Sequence, residues 1–143
     1  MTFRLVCFLV AACSFPAGWV TAQNLSIHKL PSYNKEQLRI KTDWLISNAG
    51  RQSAIYKTPE GYLVLSNGLI TRTFTMSPNC ATIGLDNLVT NEALVRAVSP
   101  EAVLWINGHE IKAGGLTGQP IGNYLLPEWI PEMKADPYSL KLV

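Results

Sequence analysis

Residues 62–76, YLVLSNGLITRTFTM, contain the pattern that decides the fold class. Two runs rich in β-branched, aromatic and other apolar residues flank Asn67-Gly68. This dipeptide is the strongest short signal for a tight hairpin, since both of its residues tolerate positive φ. The stretch therefore predicts two antiparallel strands, at residues 62–65 and 69–76.

Alternation along the second of these strands predicts its two faces. One face carries Ile70, Arg72, Phe74 and Met76. The other carries Leu69 and the threonines at positions 71, 73 and 75, which suits a solvated or half-buried side. Arg72 interrupts the apolar face, so we expect it to have a partner or an exposed position near the sheet edge.

Strand signals recur on both sides of this hairpin at intervals of ~8–12 residues. Further strands are predicted at residues 54–57, 80–85, 92–98, 102–106 and 109–111, with turns at residues 58–61 and 77–79 and a second tight hairpin at Asn107-Gly108. Such spacing is typical of an all-β, antiparallel β-sandwich and not of a βαβ fold. Residues 113–122 are rich in glycine and predict an irregular loop.

The first 22 residues predict a cleavable signal peptide. Arg4 supplies a positive start, residues 5–12 form an apolar run too short for the ~20 residues of a membrane span, and residues 20–22 are short enough for signal peptidase. Lipidation at Cys13 is an alternative, although the apolar character continues past Cys13 to Trp19. The mature chain is expected to be secreted or otherwise extracytoplasmic, with a lead-in segment at 23–53 and a sheet domain at 54–143.

Within the lead-in segment, a short helix is expected around residues 35–40. Trp44, Leu45 and Ile46 form an apolar group that is expected to dock onto the core. Asn24-Leu25-Ser26 is a glycosylation sequon, so Asn24 is a candidate modification site if the pathway is eukaryotic.

Composition limits the classes of partner. Removing 22 of the 143 residues leaves 121, enough for one domain. The full chain has 12 basic and 10 acidic residues, and loss of Arg4 lowers the net charge from +2 to +1. This balance argues against binding to nucleic acid or to a membrane surface through a basic patch.

Cys80 is the one cysteine that remains after removal of the signal peptide, so an internal disulfide is excluded in the mature chain. Its apolar neighbours favour burial of the thiol, and pairing with a partner is the alternative.

No motif for catalysis, metal binding or cofactor binding is found. Glu128 and Glu132 are four residues apart, but Pro131 disfavours the helix that would align them for glycosidase chemistry. His28 and His109 are isolated, so they lack the spacing of metal ligands. The Gly-rich loop at 114–119 lacks the Lys-Ser/Thr of a phosphate loop, and no serine elbow occurs. We predict no catalytic residue, no metal and no cofactor.

Aromatic residues supply the remaining candidate binding site. Trp105 lies in a predicted strand with apolar neighbours and is expected in the core. Tyr124 and Trp129 follow the Gly-rich loop and are candidates for substrate binding, because aromatic faces stack on the apolar faces of sugars. Packing in the core or at an interface is the alternative for both.

Five segments, in this order, resemble parts of one known domain. They are LSNGLITRTF (65–74), PNCAT (78–82), LVRAV (94–98), GGLTGQ (114–119) and YLLPEW (124–129). Together they resemble the amino-terminal, supersandwich-like β-sandwich of secreted α-galactosidase-like (melibiase-type, family 36-related) glycoside hydrolases, over roughly residues 43–137.

In those enzymes the sandwich packs on a (β/α)₈ barrel that carries the catalytic aspartates. A barrel needs ~250 residues, so the resemblance implies an accessory domain without catalytic residues of its own. Its expected partner is the catalytic barrel of the parent protein, and its expected role is to cover the barrel and help form the substrate rim.

Residues 138–143 alternate like the start of a further strand, so the sandwich is expected to be incomplete at the C-terminus and the chain to be a fragment or short form. Two other functions remain open. One is a free-standing carbohydrate-binding module that uses Tyr124 and Trp129. The other is an extracellular interaction module with no role in sugar binding.

Overall fold

The computed structural model describes residues 27–40, 42, 43, 45, 46 and 52–142. The predicted signal peptide at 1–22, the Asn24 sequon and Trp44 lie outside the described residues.

Helices are few and short. A 3₁₀-helix spans Ile27–Lys29, the α-helix α1 spans Lys35–Leu38, and a second 3₁₀-helix spans Pro127–Glu132. Asn34 caps α1, because its side chain accepts a hydrogen bond from the Gln37 amide at 3.2 Å. No helix in the described segments combines the length and apolar character that a membrane crossing requires.

A five-stranded antiparallel meander forms the larger sheet. Its strands, in both chain and spatial order, are β1 (Ala54–Lys57), β2 (Leu63–Ser66), β3 (Ile70–Thr75), β4 (Ala81–Asn87) and β5 (Glu92–Ala93). The hairpin predicted at Asn67-Gly68 is present, and the Asn67 side chain holds it by accepting hydrogen bonds from the amides of Leu69 and Ile70. The strand expected at 92–98 is shorter and ends at Ala93.

The second sheet has the spatial order β10, β7, β6. Strands β6 (Ala102–Ile106) and β7 (His109–Ala113) form the predicted Asn107-Gly108 hairpin, and β10 (Ser139–Leu140) pairs with β7 in parallel. Strands β8 (Leu116–Thr117) and β9 (Lys134–Ala135) form a two-stranded antiparallel ribbon. The strand predicted to begin near residue 138 is therefore present as β10.

The all-β fold with mainly antiparallel sheets is confirmed. The face-to-face packing of two sheets that defines a sandwich is not confirmed. The five-stranded sheet contacts the segment after β7 near the start of β4, where the Gly115 amide donates to the Cys80 carbonyl at 2.8 Å. Each sheet has exposed apolar side chains, among them Leu65 and Ile70 in the five-stranded sheet and Trp105 in the three-stranded sheet.

The two faces of β3 are buried in the reverse of the predicted way: the threonine face is the buried one. Thr71 and Thr75 are 1% and 2% exposed, whereas Ile70 is 47% exposed. For Thr71 the reason is the lead-in segment, which hydrogen-bonds to the edge of β1 and places Tyr33 against Tyr56, with ring centroids 6.3 Å apart. Burial accordingly raises the pKa of Tyr33. Thr75 is paired with Ala81, which belongs to the buried cluster with Leu116 and Met133.

Two further expectations about apolar residues are wrong. Leu45 and Ile46 are 76% and 86% exposed, so they do not dock onto the core. Trp105 was expected inside, but it is 68% exposed because neither face of β6 is covered in the described part of the chain. The buried apolar residues are instead Val64, Ala81, Leu88, Leu116, Ile130 and Met133.

Candidate functional site

The first candidate surface is the face of the five-stranded sheet that the lead-in segment does not cover. Strand register places a row of cross-strand partners on this side, and the amide of Leu94 extends the row by donating to the Leu85 carbonyl at 2.8 Å. We call this surface the open face, and its residues are Ile55, Leu65, Ile70, Arg72, Phe74, Leu85 and Leu94. Leu65, Ile70 and Leu94 are each more than two-fifths exposed. The open face is therefore an apolar surface that the described chain leaves accessible.

Arg72 is the charged group within the open face. Its Nη2 lies 2.5 Å from Glu101 Oε2, and its Nε donates to Thr82 Oγ1 at 2.9 Å. Its guanidinium carbon also lies 4.7 Å from the centre of the Phe74 ring, within the range of a cation–π contact. The expectation that Arg72 has a partner is confirmed.

Glu101 completes this cluster from the segment before β6. Its carboxylate accepts hydrogen bonds from the Thr82 amide and, at 3.0 Å, from the Thr82 hydroxyl. The charge of Arg72 is thus matched inside the chain, which leaves the open face without a free cation at its centre. The sequence did not identify Glu101 as this partner. The unmatched arginine on an apolar strand face was the available signal for its partner.

Cys80 lies beside the Arg72–Glu101 pair. Burial raises the pKa of its thiol, the negative charge of Glu101 raises it further, and the positive charge of Arg72 opposes both. A raised pKa means less thiolate at neutral pH and hence a slow nucleophile. Cys80 is half-buried in this environment, in line with the burial that its neighbours predicted.

We expect Glu101→Gln to lower the pKa of Cys80 and to speed its reaction severalfold, because the substitution removes a nearby negative charge. The measurement is the rate of reaction with a disulfide reagent between about pH 7 and 9, in a Cys7→Ser/Cys13→Ser background. Arg72→Met is the opposite control, since loss of the cation should slow the reaction. A faster reaction in both variants would indicate local unfolding and would contradict this electrostatic account.

The second candidate surface is the aromatic pair, Tyr124 and Trp129. The structure brings these two predicted residues together, with ring centroids 5.3 Å apart and planes inclined by 35°. Tyr124 is 42% exposed, and Trp129 is half-buried. Two rings at this separation and tilt are held by direct aromatic contact, and the Tyr124 ring offers the more accessible surface to a ligand.

Gln119 holds the backbone beneath the aromatic pair. Its Nε2 donates to the carbonyls of Arg96, Ile121 and Tyr124 at 2.6–2.9 Å, while its Oε1 accepts from the Val98 amide at 2.9 Å. One amide side chain thus ties the Gly-rich loop to the segment after β5. The sequence singled out this loop, but no local signal identified Gln119 as its anchor.

Carboxylates and metal ligands form no reactive cluster in the described residues. Glu128 and Glu132 are both exposed on the 3₁₀-helix Pro127–Glu132. In residues 27–40, 42, 43, 45, 46 and 52–142, no group of three or more His, Cys, Asp and Glu side chains is placed to hold a metal ion.

No protein-family model, no curated protein and no solved structure matches this chain. The open face and the aromatic pair are therefore the features of the chain that bear on its function.

Proposed function

We propose that this chain is a non-catalytic accessory domain of a secreted α-galactosidase-like glycoside hydrolase. Its open face packs against the catalytic part of that protein, and its role is to cover the barrel and support the rim of the sugar pocket. The observation that carries the proposal is the open face, an apolar sheet surface on which Leu65, Ile70 and Leu94 are each more than two-fifths exposed.

The segments that carry the resemblance support this proposal by their positions. Residues 65–74 form most of the β2–β3 hairpin and supply much of the open face. Residues 94–98, 114–119 and 124–129 meet at Gln119, below the aromatic pair. The segments that carry the resemblance thus supply residues of both the open face and the aromatic pair.

Charge also favours a protein partner for the open face. Arg72 is already paired with Glu101, so an apolar partner can cover the face without leaving an unpaired buried cation. Glycosidase chemistry needs two carboxylates, about 5–5.5 Å apart in retaining enzymes. Glu101, a partly buried carboxylate, is committed to Arg72 and Thr82.

Leu65→Asp is expected to weaken docking to the catalytic barrel by at least about tenfold. Removing a leucine from an apolar contact costs about 1.5–3 kcal/mol, and the new carboxylate would be buried without a partner. The chain is co-expressed with the barrel of an α-galactosidase-like enzyme that lacks its own amino-terminal sheets. Co-purification and hydrolysis of a nitrophenyl α-galactoside are then measured.

Tyr138→Asp is the matched control for this test, because Tyr138 is 87% exposed and lies outside the open face. The control should co-purify with the barrel and support hydrolysis as the unchanged chain does. Equal behaviour of the two variants, or no association of the unchanged chain, would contradict the proposal.

A second function, carbohydrate binding by the chain itself, is favoured by the contact between Tyr124 and Trp129. Trp129→Ala and Tyr124→Ala should each weaken binding of galactosides by about tenfold, since stacking surface is lost. Isothermal titration calorimetry measures this binding. Tyr138→Ala is the control, because it removes a more exposed ring that lies apart from the pair. If the unchanged chain binds no galactoside or oligosaccharide, this second function is excluded.

A further inference from the structure

Strand β6 is an edge strand with no neighbour on its outer side in the described part of the chain. All five of its residues are exposed, and the sequence Ala-Val-Leu-Trp-Ile carries no charge. Natural proteins protect such edges with lysine, proline or a bulge at the centre of the strand, and β6 has neither lysine nor proline. We infer that β6 pairs antiparallel with β6 of a second copy of this chain, about a two-fold axis through Leu104.

Backbone geometry selects this register. The two-residue turn at Asn107-Gly108 makes Ile106 and His109 a hydrogen-bonded pair, so by alternation Leu104 and Ala102 also direct their amide and carbonyl groups toward β7. The groups of Val103 and Trp105 then point outward from the sheet edge. An axis through Leu104 places Val103 opposite Trp105 of the second copy. The outward amide and carbonyl groups of these residues in both strands then form four hydrogen bonds.

Side chains agree with the same register. Val103 opposite Trp105 of the second copy is a β-branched–aromatic pair, a favourable cross-strand combination, and it occurs twice by symmetry. Ala102 lies opposite Ile106 of the second copy, which sets a small side chain against a large one. Leu104 lies opposite its own equivalent. The strand is therefore self-complementary in the antiparallel sense.

Charges on the neighbouring strand do not oppose a second copy, because Lys112 Nζ already lies 3.8 Å from Glu110 and 3.9 Å from Asp136 within one chain. Trp105 is paired with Glu110 on β7, and Val103 with Lys112. In the joined sheet, the row that contains Glu110 and Trp105 continues through Val103 of the second copy to its Lys112, which is paired in turn with Ser139 on β10. The pairing therefore brings no like charges face to face.

This surface is separate from the open face, so the inference does not depend on the proposed function. Strand β6 belongs to the three-stranded sheet, and the open face belongs to the five-stranded sheet. The inference therefore predicts a six-stranded sheet that runs through two copies of the chain. Docking to a catalytic barrel can succeed or fail without changing that outcome.

Disulfide trapping tests the register. Leu104 lies on the axis as a pair that is not hydrogen-bonded, with an expected Cα separation of about 4.5 Å, within the range of a disulfide. In the full chain with Cys7, Cys13 and Cys80 replaced by serine, Leu104→Cys should form a covalent dimer under mild oxidation. Ile106→Cys is the matched control, because its two copies would lie about 13 Å apart and should remain unlinked. Equal cross-linking of both variants, or of neither, would overturn the inference.

Sedimentation of the full chain, from about 5 to 500 μM, tests the association itself. The unchanged chain should show a monomer–dimer equilibrium. Val103→Pro should raise the dissociation constant by about tenfold or more, because it removes an outward donor while the bonds to β7 remain. Tyr138→Lys, near the opposite edge of the same sheet, should leave the dimer intact. A monomer at all concentrations, open-ended oligomers, or equal weakening in both variants would refute it.

Discussion

Gly114→Ala is expected to destabilise the fold by about 3–5 kcal/mol. Gly114 has φ +67°, a conformation that costs an L side chain free energy. It is also buried, and an added Cβ would collide with the carbonyl oxygen of Cys80 and press on the Glu101 side chain. That carbonyl accepts the bond from Gly115 that joins the five-stranded sheet to the segment after β7, so the clash falls at this contact.

Gly108→Ala is the control that measures the cost of a positive φ without a steric clash. Gly108 has φ +82°, but no atom lies within 4 Å of its added Cβ. Alanine there should cost only about 1 kcal/mol. Urea denaturation followed by circular dichroism measures both free energies of unfolding. A loss for Gly114→Ala no larger than that for Gly108→Ala would show that the two backbones do not approach closely.

Asn79→Ala is expected to cost about 3 kcal/mol or more, because Asn79 is 1% exposed and fully hydrogen-bonded. Its Nδ2 donates to the Ser139 hydroxyl and the Leu140 carbonyl, both at 3.2 Å. Its Oδ1 accepts from the amides of Cys80 and Leu142, at 2.9 and 3.0 Å. Alanine leaves all four partners without this side chain, and β10 loses its main link to the start of β4.

Asn87→Ala is the matched control for Asn79→Ala. Asn87 also accepts two backbone bonds, from Val89 and Thr90, but both lie within a local, exposed turn. Its loss should cost about 1 kcal/mol, since water can satisfy those amides. Thermal unfolding compares the two variants, and amide hydrogen exchange of residues 139–142 reports on β10. Unchanged protection of those residues in Asn79→Ala would contradict the anchoring role.

Local turn chemistry explains what the sequence could predict. The hairpins at Asn67-Gly68 and Asn107-Gly108, and the strands between them, depend on nearby residues and were predicted within a few positions. The exposed position of Trp105 was not, because an apolar strand has the same sequence at an edge as in a core. The burial of Thr71 was also missed, since it depends on a lead-in segment about forty residues away.

In the candidate site, too, contacts between residues close in sequence could be predicted and long-range contacts could not. Tyr124 and Trp129 are close in sequence and follow a glycine-rich loop, so their proximity could be anticipated. The roles of Asn79 and Gln119 could not, because each side chain binds backbone groups that are distant along the chain. Asn79 bonds to residues more than sixty positions away, and Gln119 to one more than twenty away. Such contacts arise only when the tertiary fold brings the segments together.

The two associations proposed for this chain, with a catalytic barrel and with a second copy, use two different exposed surfaces. The open face is an apolar surface with its one arginine already neutralised, and β6 is an edge with two outward-facing residues. An apolar sheet face can pack against the surface of another domain, whereas an edge strand can form backbone hydrogen bonds with another strand. The proposed docking to a catalytic barrel and the inferred self-pairing therefore use different surfaces and are separable by variants.

Calorimetry tests the docking account most directly. The folded chain is titrated with the barrel domain of an α-galactosidase-like enzyme at several temperatures between about 15 and 35 °C, because burial of apolar surface gives a negative heat-capacity change. The account predicts saturable binding of one chain per barrel, with an enthalpy that becomes more favourable on warming. Absence of binding by the folded chain, or binding whose enthalpy does not change with temperature, would contradict it.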